Sequence, residues 1–181
     1  MNHSFTIALG GILTALALVC MFIAPLVPVA VYLCTTLSGI CIAVAAFEIG
    51  NKYALCVYSA ASFLSLLLIA DKETAFIFIL TFGIYPIYKN LLEKSEFKLK
   101  NRELVVNAFK LLFLSVSCSV CFFLSVTVLG VPTESYMIGE LYLPGVIILM
   151  EITLCMMYDK ALDNIIIIYK LKFRKNILRK W

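Results

Sequence analysis

Charged residues and histidine are scarce in this sequence. Charged side chains make up 14% of the 181 residues, where soluble domains carry about 25%, and the single histidine is His3. The chain has no GxxxxGK[ST] phosphate loop, no HExxH zinc motif, no GxSxG nucleophile motif and no paired carboxylates. These absences argue against a P-loop ATPase, a zinc protease and a serine hydrolase. We therefore expect that the protein is not an enzyme and binds no cofactor or metal.

Hydrophobic residues dominate instead, at 63% of the chain. The mean hydropathy is +1.03. So little polar surface cannot face water on all sides, which predicts that lipid is the main solvent. We expect an all-α integral membrane protein. No linker divides the chain, so we predict one transmembrane domain over residues 1–169 and a basic tail over 170–181.

Six apolar runs are candidate transmembrane helices. They cover about 5–24, 29–47, 53–70, 74–88, 111–131 and 142–158. About 20 helical residues span a hydrocarbon core of roughly 30 Å. The first run lacks a basic segment before it and is long for a signal peptide, so we expect it to be retained. Gly83 and Pro86 should kink or end the fourth helix. The polar residues 89–103 should form an exposed connector.

The inner end of the sixth helix has two interpretations. Asp159, Lys160 and Asp163 could mark its end, with residues 165–169 on the membrane surface. Alternatively a long, tilted helix runs on to Tyr169. The first interpretation is favoured because three ionisable groups are expensive inside lipid.

Basic residues indicate the orientation of the chain. One cluster surrounds the loop between the fourth and fifth helices, and another occupies the C-terminus, two crossings away. Their members are Lys89, Lys94, Lys98, Lys100, Arg102 and Lys110, and then Lys170, Lys172, Arg174, Lys175, Arg179 and Lys180. Placed inside with both termini, they satisfy the positive-inside rule except at Lys72. The amphipathic segment 164–181 should lie on the inner leaflet as an anchor or a partner site.

The seven cysteines lie within apolar runs. Cys118-x-x-Cys121 has the spacing of a redox or metal motif, but no second Cys/His pair lies nearby in the sequence. We interpret the cysteines as small core hydrophobes.

Small residues form stripes on three helices. Ala8, Gly11 and Ala15 share a face of the first helix. The other stripes are Gly39, Ala43, Ala46 and Gly50 on the second helix, and Ser115, Cys118 and Ser125 on the fifth. Such stripes let helix backbones approach closely in lipid, either inside one bundle or against a partner. The first-helix stripe is therefore a candidate docking face.

Ionisable residues within the apolar runs are candidate functional groups. Glu151 lies near the middle of the sixth run, where a carboxylate binds a ligand, relays a proton, or serves as a protonated hydrogen-bond partner. Tyr142, at the outer end of that run, is a candidate ligand contact or part of the aromatic belt. Glu48 and Lys110 should lie at equal depth near the inner interface, either as an ion pair or snorkelling separately.

Two stretches carry a resemblance to a known family. Residues 8–15 read ALGGILTA, and residues 25–39 read PLVPVAVYLCTTLSG, with prolines that end one helix before a small-residue helix. With the size and topology, they resemble the substrate-binding S components of energy-coupling factor (ECF) transporters. The family's Ala-x-x-x-Ala motif is matched only as small-x-x-x-small, at Gly11 and Ala15. The stretch 82–89 also resembles small membrane proteins of Firmicutes.

The resemblance implies a mechanism and partners. The chain would bind a small vitamin-like molecule from outside, in the bacterial cytoplasmic membrane. A membrane scaffold subunit and ATPase subunits would drive its release inward. Rod-shape scaffold proteins of the cell envelope are similar in shape and give a non-catalytic alternative. A membrane enzyme using Glu151 lacks an identifiable second catalytic group.

Overall fold

A computed structural model describes residues 3–26, 31–94, 102–128, 130, 137–138, 141–142, 144–169 and 171. Of some of these, Tyr142 and Glu151 among them, it describes the backbone alone. The helices are α1 (His3–Ile23), α2 (Val31–Glu48), α3 (Asn51–Leu68), α4 (Lys72–Ile77), α5 (Tyr85–Lys94), α6 (Arg102–Thr127) and α7 (Pro144–Ile168). A π-helical segment, Phe78–Phe82, joins α4 to α5. Two short strands, β1 (Met137–Ile138) and β2 (Leu141–Tyr142), pair antiparallel before α7.

The predicted all-α class is confirmed for the described residues, in which the two-residue strands β1 and β2 are a minor addition. Four of the helical stretches are long and apolar enough to cross a membrane: His3–Leu26, Val31–Glu48, Lys72–Lys94 and Val105–Thr127. Such stretches indicate a membrane protein, because a run of this length and composition has no favourable place in water.

The helix α2 lies at the centre of the bundle and contributes to both halves of its core. On one side, Ile42, Ala45 and Ala46 pack with residues of α1 and α3 such as Ala17 and Ala61. On the other side, its Ala43 belongs to a cluster built by the π segment, α5, α6 and α7. That second cluster consists of Ala43, Ile77, Phe82, Tyr85, Leu114, Cys118, Cys121, Cys155, Tyr158 and Leu162.

Small residues explain how α2 fits between its neighbours. Gly39, Ala43 and Ala46 are buried. A Cβ atom on Gly39 would lie 2.5 Å from the backbone oxygen of Phe82, so the α2 backbone runs directly against the π segment. The stripe predicted on α2 therefore serves internal packing. Gly50, at φ 87°, makes the corner between α2 and α3 in a backbone region that favours glycine.

The corner between α3 and α4 is capped from both sides. The Asp71 carboxylate accepts hydrogen bonds from the backbone N–H groups of Glu73 at 3.1 Å and Thr74 at 3.3 Å, which caps the start of α4. The Lys72 ammonium donates to the backbone oxygens of Leu66 at 2.7 Å and Ile69 at 2.8 Å, at the end of α3. Lys72, the exception in the charge pattern, is thus tied to the C-terminus of a helix, where a cation is favourable.

Three predicted boundaries differ from the structure. The fifth predicted helix, α6, begins at Arg102 and not near 111, so residues 102–103 lie in a helix and not in the connector. The fourth helical stretch does not end near Tyr88 but continues through α5 to Lys94, so Lys89 lies inside a helix and not in an exposed connector. The last helix does not end near Tyr158; it continues to Ile168, which agrees with the interpretation that was not favoured. The last two differences have one physical cause. Lys89, Asp159 and Asp163, whose charges argued for helix ends, are paired with one another.

Candidate functional site

Six polar side chains from three helices meet at the end of the bundle where α2 ends and α3 begins, here called the Glu48 end. We name them the Lys89 cluster: Tyr85, Lys89 and Glu93 on α5, Lys110 on α6, and Asp159 and Asp163 on α7. The spacing is helical, because residues four apart share one face. The α5 and α7 residues therefore face each other as two short polar stripes.

Lys89 is the centre of the cluster. Its side chain is 4% exposed, and its Nζ lies 2.6 Å from Asp159 Oδ1 and 2.8 Å from Asp163 Oδ1. It also donates to the backbone oxygen of Asp159 at 2.8 Å. The two contacts with Asp159 are hydrogen bonds and the contact with Asp163 is an ion pair, so three oxygens surround the ammonium. Tyr85 donates its hydroxyl to the same Asp159 Oδ1 at 2.6 Å.

Lys110 adds a second cation. Its Nζ lies 2.8 Å from Glu93 Oε1 and 3.7 Å from Asp159 Oδ1. Two lysines thus stand among three carboxylates, so the cluster has a formal charge of −1 and holds α5, α6 and α7 together. The side chains of Glu93 and Asp163 are 45% and 50% exposed, so these two acidic residues lie on the outer surface of the cluster.

Two cavities flank the cluster. One, of about 390 Å³, lies between α2, α5 and α7, and Lys89, Glu93 and Asp163 form its charged wall. The other, of about 280 Å³, lies between α5, α6 and α7 beside Lys110 and Asp159. A much smaller cavity, about 10 Å³, remains among Thr81, Cys118 and Cys155 in the middle of the second core cluster.

The π segment forms a second polar feature, inside the bundle. Hydroxyl groups from three other helices donate to its backbone oxygens: Tyr58 to Ile79 at 2.8 Å, Tyr158 to Phe82 at 3.3 Å, and Ser117 to Leu80. Away from water, carbonyls displaced from regular helix geometry need such partners. These bonds hold the irregular segment in place.

The predicted site residues fall in different places. Ala8, Gly11 and Ala15 are exposed on the outer face of α1. Lys110 pairs with Glu93 and Asp159, while its predicted pair with Glu48 stays a prediction. The side chains of Glu151 and Tyr142 lie outside the described residues, so their predicted ligand contacts stay predictions too.

Sequence reasoning missed the Lys89 cluster because it counted each charge as a separate cost. The available signal was the spacing: Tyr85, Lys89 and Glu93 repeat every four residues, as do Asp159 and Asp163, with opposite charges at one predicted depth.

Among the residues whose positions are described, no group of three or more His, Cys, Asp or Glu side chains is arranged to hold a metal ion. Cys118 Sγ lies 3.8 Å from Cys155 Sγ on the neighbouring helix, and both thiols are buried. They pack as core residues between α6 and α7. Comparisons with protein-family models, curated proteins and solved structures find no match to this chain.

Proposed function

We propose that this chain is a non-catalytic subunit of the bacterial cytoplasmic membrane that captures a small molecule, in the manner of an ECF-transporter S component. It would pass that molecule to a membrane scaffold subunit driven by ATPase subunits. One observation above all supports the proposal. In the part of the chain that the structure describes, the small-residue stripe of α1 is exposed on the outer surface of the bundle.

The two faces of α1 carry different residues. Gly10, Leu13 and Ala17 are buried against α2 and α3. Gly11 lies on the opposite face, and a Cβ atom added there would meet no atom of the described residues within 4 Å. A shallow strip of small side chains facing lipid allows another helix to approach closely. This is the geometry that a docking face for a scaffold subunit requires.

Replacing Gly11 by leucine should abolish capture of the partner while leaving the fold intact, because the new side chain fills the strip without touching the bundle. The measurement is co-purification from membranes in mild detergent, read beside the thermal stability of each variant. Gly10→Leu is the matched control. Its Cβ lies 3.2 Å from Val57 Cγ2, so it should destabilise the bundle itself. Unchanged partner capture by Gly11→Leu would refute the docking face.

We propose six membrane crossings, with α3 and α7 joining the four stretches named above and both termini in the cytoplasm. The Glu48 end then faces the cytoplasm together with both basic clusters. The hydrogen bonds of Lys72 to the end of α3 give the one basic residue at the opposite end a structural role.

Glu151 and Tyr142 are the proposed ligand contacts. Glu151→Gln keeps the size of the side chain but cannot ionise, so we expect it to lose ligand binding or uptake with near-normal thermal stability. The measurement compares small molecules that co-purify with wild-type and variant protein, identified by mass spectrometry. Equal retention of the ligand by both would leave Glu151 a structural hydrogen-bond partner.

A scaffold protein of the cell envelope is the second candidate. Among the described residues, the cavity in the middle of the second core cluster is only about 10 Å³, which favours this candidate, because close packing there suits a protein that organises partners and holds no ligand. Co-purification separates the two candidates. A transporter subunit should bring ATPases and a small molecule, whereas a scaffold should bring envelope proteins alone.

A further inference from the structure

The 390 Å³ cavity at the Glu48 end has two unlike walls. One is charged, with Lys89, Glu93 and Asp163, and the other is apolar, with Phe47 and Ile166. Its volume lies within the range of about 300–1,000 Å³ that small-molecule sites occupy. A cavity with this division suits an amphiphile, whose polar group and hydrocarbon chain need different surroundings.

The polar wall offers acceptors more than donors. Lys89 already donates to two oxygens of Asp159 and pairs with Asp163, so three oxygens of the bundle surround its ammonium. Asp163, half exposed, meets Lys89 through Oδ1, and a carboxylate has about four acceptor positions. Asn90 donates through Nδ2 to Ala46 O at 3.2 Å and Asn51 Oδ1 at 2.5 Å, which leaves its side-chain oxygen as an acceptor. The part of the wall formed by Asp163 and Asn90 therefore suits a ligand group that carries N–H donors.

The apolar wall continues onto the outer surface of the bundle. Ile167, on the last turns of α7, lines the cavity and is 53% exposed. Lys94, at the end of α5, lines the same cavity from its polar side. The cavity therefore joins a surface suited to lipid chains with one suited to headgroups, and Lys94 supplies a cation for an anionic group.

We propose that this cavity binds a phospholipid with a primary ammonium headgroup, of the phosphatidylethanolamine class, from the leaflet at the Glu48 end. The ammonium donates to Asp163 and Asn90, the phosphate lies beside Lys94, and an acyl chain follows Phe47 and Ile167. A choline headgroup has no N–H to donate, and a glycerol headgroup has no positive charge for Asp163. This inference needs the chain to be embedded in lipid but does not rest on its acting in transport.

The test measures the melting temperature of the full chain in mixed micelles at one lipid fraction. Phosphatidylethanolamine should raise it by about 3–5 °C more than phosphatidylcholine or phosphatidylglycerol does. Asp163→Asn should remove that difference, because it removes the carboxylate that accepts from the lipid ammonium. The variant should still fold, since Lys89 keeps Asp159 as a partner. Glu73→Gln, a matched loss of one carboxylate at the opposite end, should retain it.

Three results would overturn the proposal. They are equal effects of the three lipids on the wild type, a full ethanolamine effect in Asp163→Asn, and an equal effect of soluble phosphoethanolamine, which would make the ligand a free amine. Ile167→Trp provides an independent variant if Asp163→Asn does not fold. The larger indole ring should block the apolar wall that the acyl chain follows, and Ile167 is exposed enough for the substitution to leave the bundle folded. This variant should also lose the extra stabilisation by phosphatidylethanolamine, and an undiminished stabilisation would contradict the proposed site.

Discussion

Replacing Lys89 by methionine is expected to lower the free energy of unfolding by about 3–5 kcal/mol. Methionine keeps much of the length of the side chain and removes its charge. Asp159 and Asp163 then lose the ammonium that lies 2.6 and 2.8 Å from their oxygens. The loss is large because Asp159, whose side chain is 21% exposed, is left with Lys110 at 3.7 Å in place of an ammonium at 2.6 Å. Asp163 is half exposed and contributes less, since water can solvate it. Reversible unfolding in mixed detergent micelles measures it.

Two further variants show whether pairing is the cause. Lys52→Met removes an exposed lysine from α3 at the same end of the bundle and should change stability by less than about 0.5 kcal/mol. Adding Asp159→Asn to Lys89→Met should recover part of the loss, because the unpaired carboxylate is then neutral. A change below about 1 kcal/mol in Lys89→Met alone would show that Lys89 contributes little beyond an exposed ion pair.

The helices were predictable where burial follows from apolar length alone. The apolar runs 5–24 and 29–47 are long enough to predict transmembrane helices directly. The helices in the structure begin and end within a few residues of those bounds. The ends of α5 and α7 were not predictable in this way. The cost of Lys89, Asp159 and Asp163 in an apolar bundle depends on which charges meet, and that is a property of the tertiary fold.

The same limit applies to the candidate sites. Sequence placed Glu48 and Lys110 at equal depth, but depth does not say which helices are neighbours, and the structure gives Lys110 two carboxylates from α5 and α7. The α1 stripe was recognisable as small residues at helical spacing. Only the burial of Gly10, Leu13 and Ala17 shows that the stripe points away from the core.

Replacing Gly39 by alanine should destabilise the bundle by about 1–3 kcal/mol, through overpacking in a filled core. The added Cβ would lie 2.5 Å from the backbone oxygen of Phe82 and would also collide with the hydroxyl of Tyr158. The Phe82 carbonyl cannot move away cheaply. It belongs to the π segment, where Tyr58 and Ser117 donate hydrogen bonds to the neighbouring carbonyls.

Gly11→Ala is the matched control, because it adds the same methyl group to a helical glycine that has no neighbour within 4 Å among the residues whose positions are known. Higher helix propensity should leave it as stable as the wild type or more stable by up to about 1 kcal/mol. Tyr158→Phe removes one of the two groups that the new methyl meets. The double variant should therefore lose less free energy of unfolding than the sum of the losses of Tyr158→Phe and Gly39→Ala, as expected for neighbours that share a contact. Wild-type stability in Gly39→Ala would mean that α2 and the π segment lie farther apart than the structure places them.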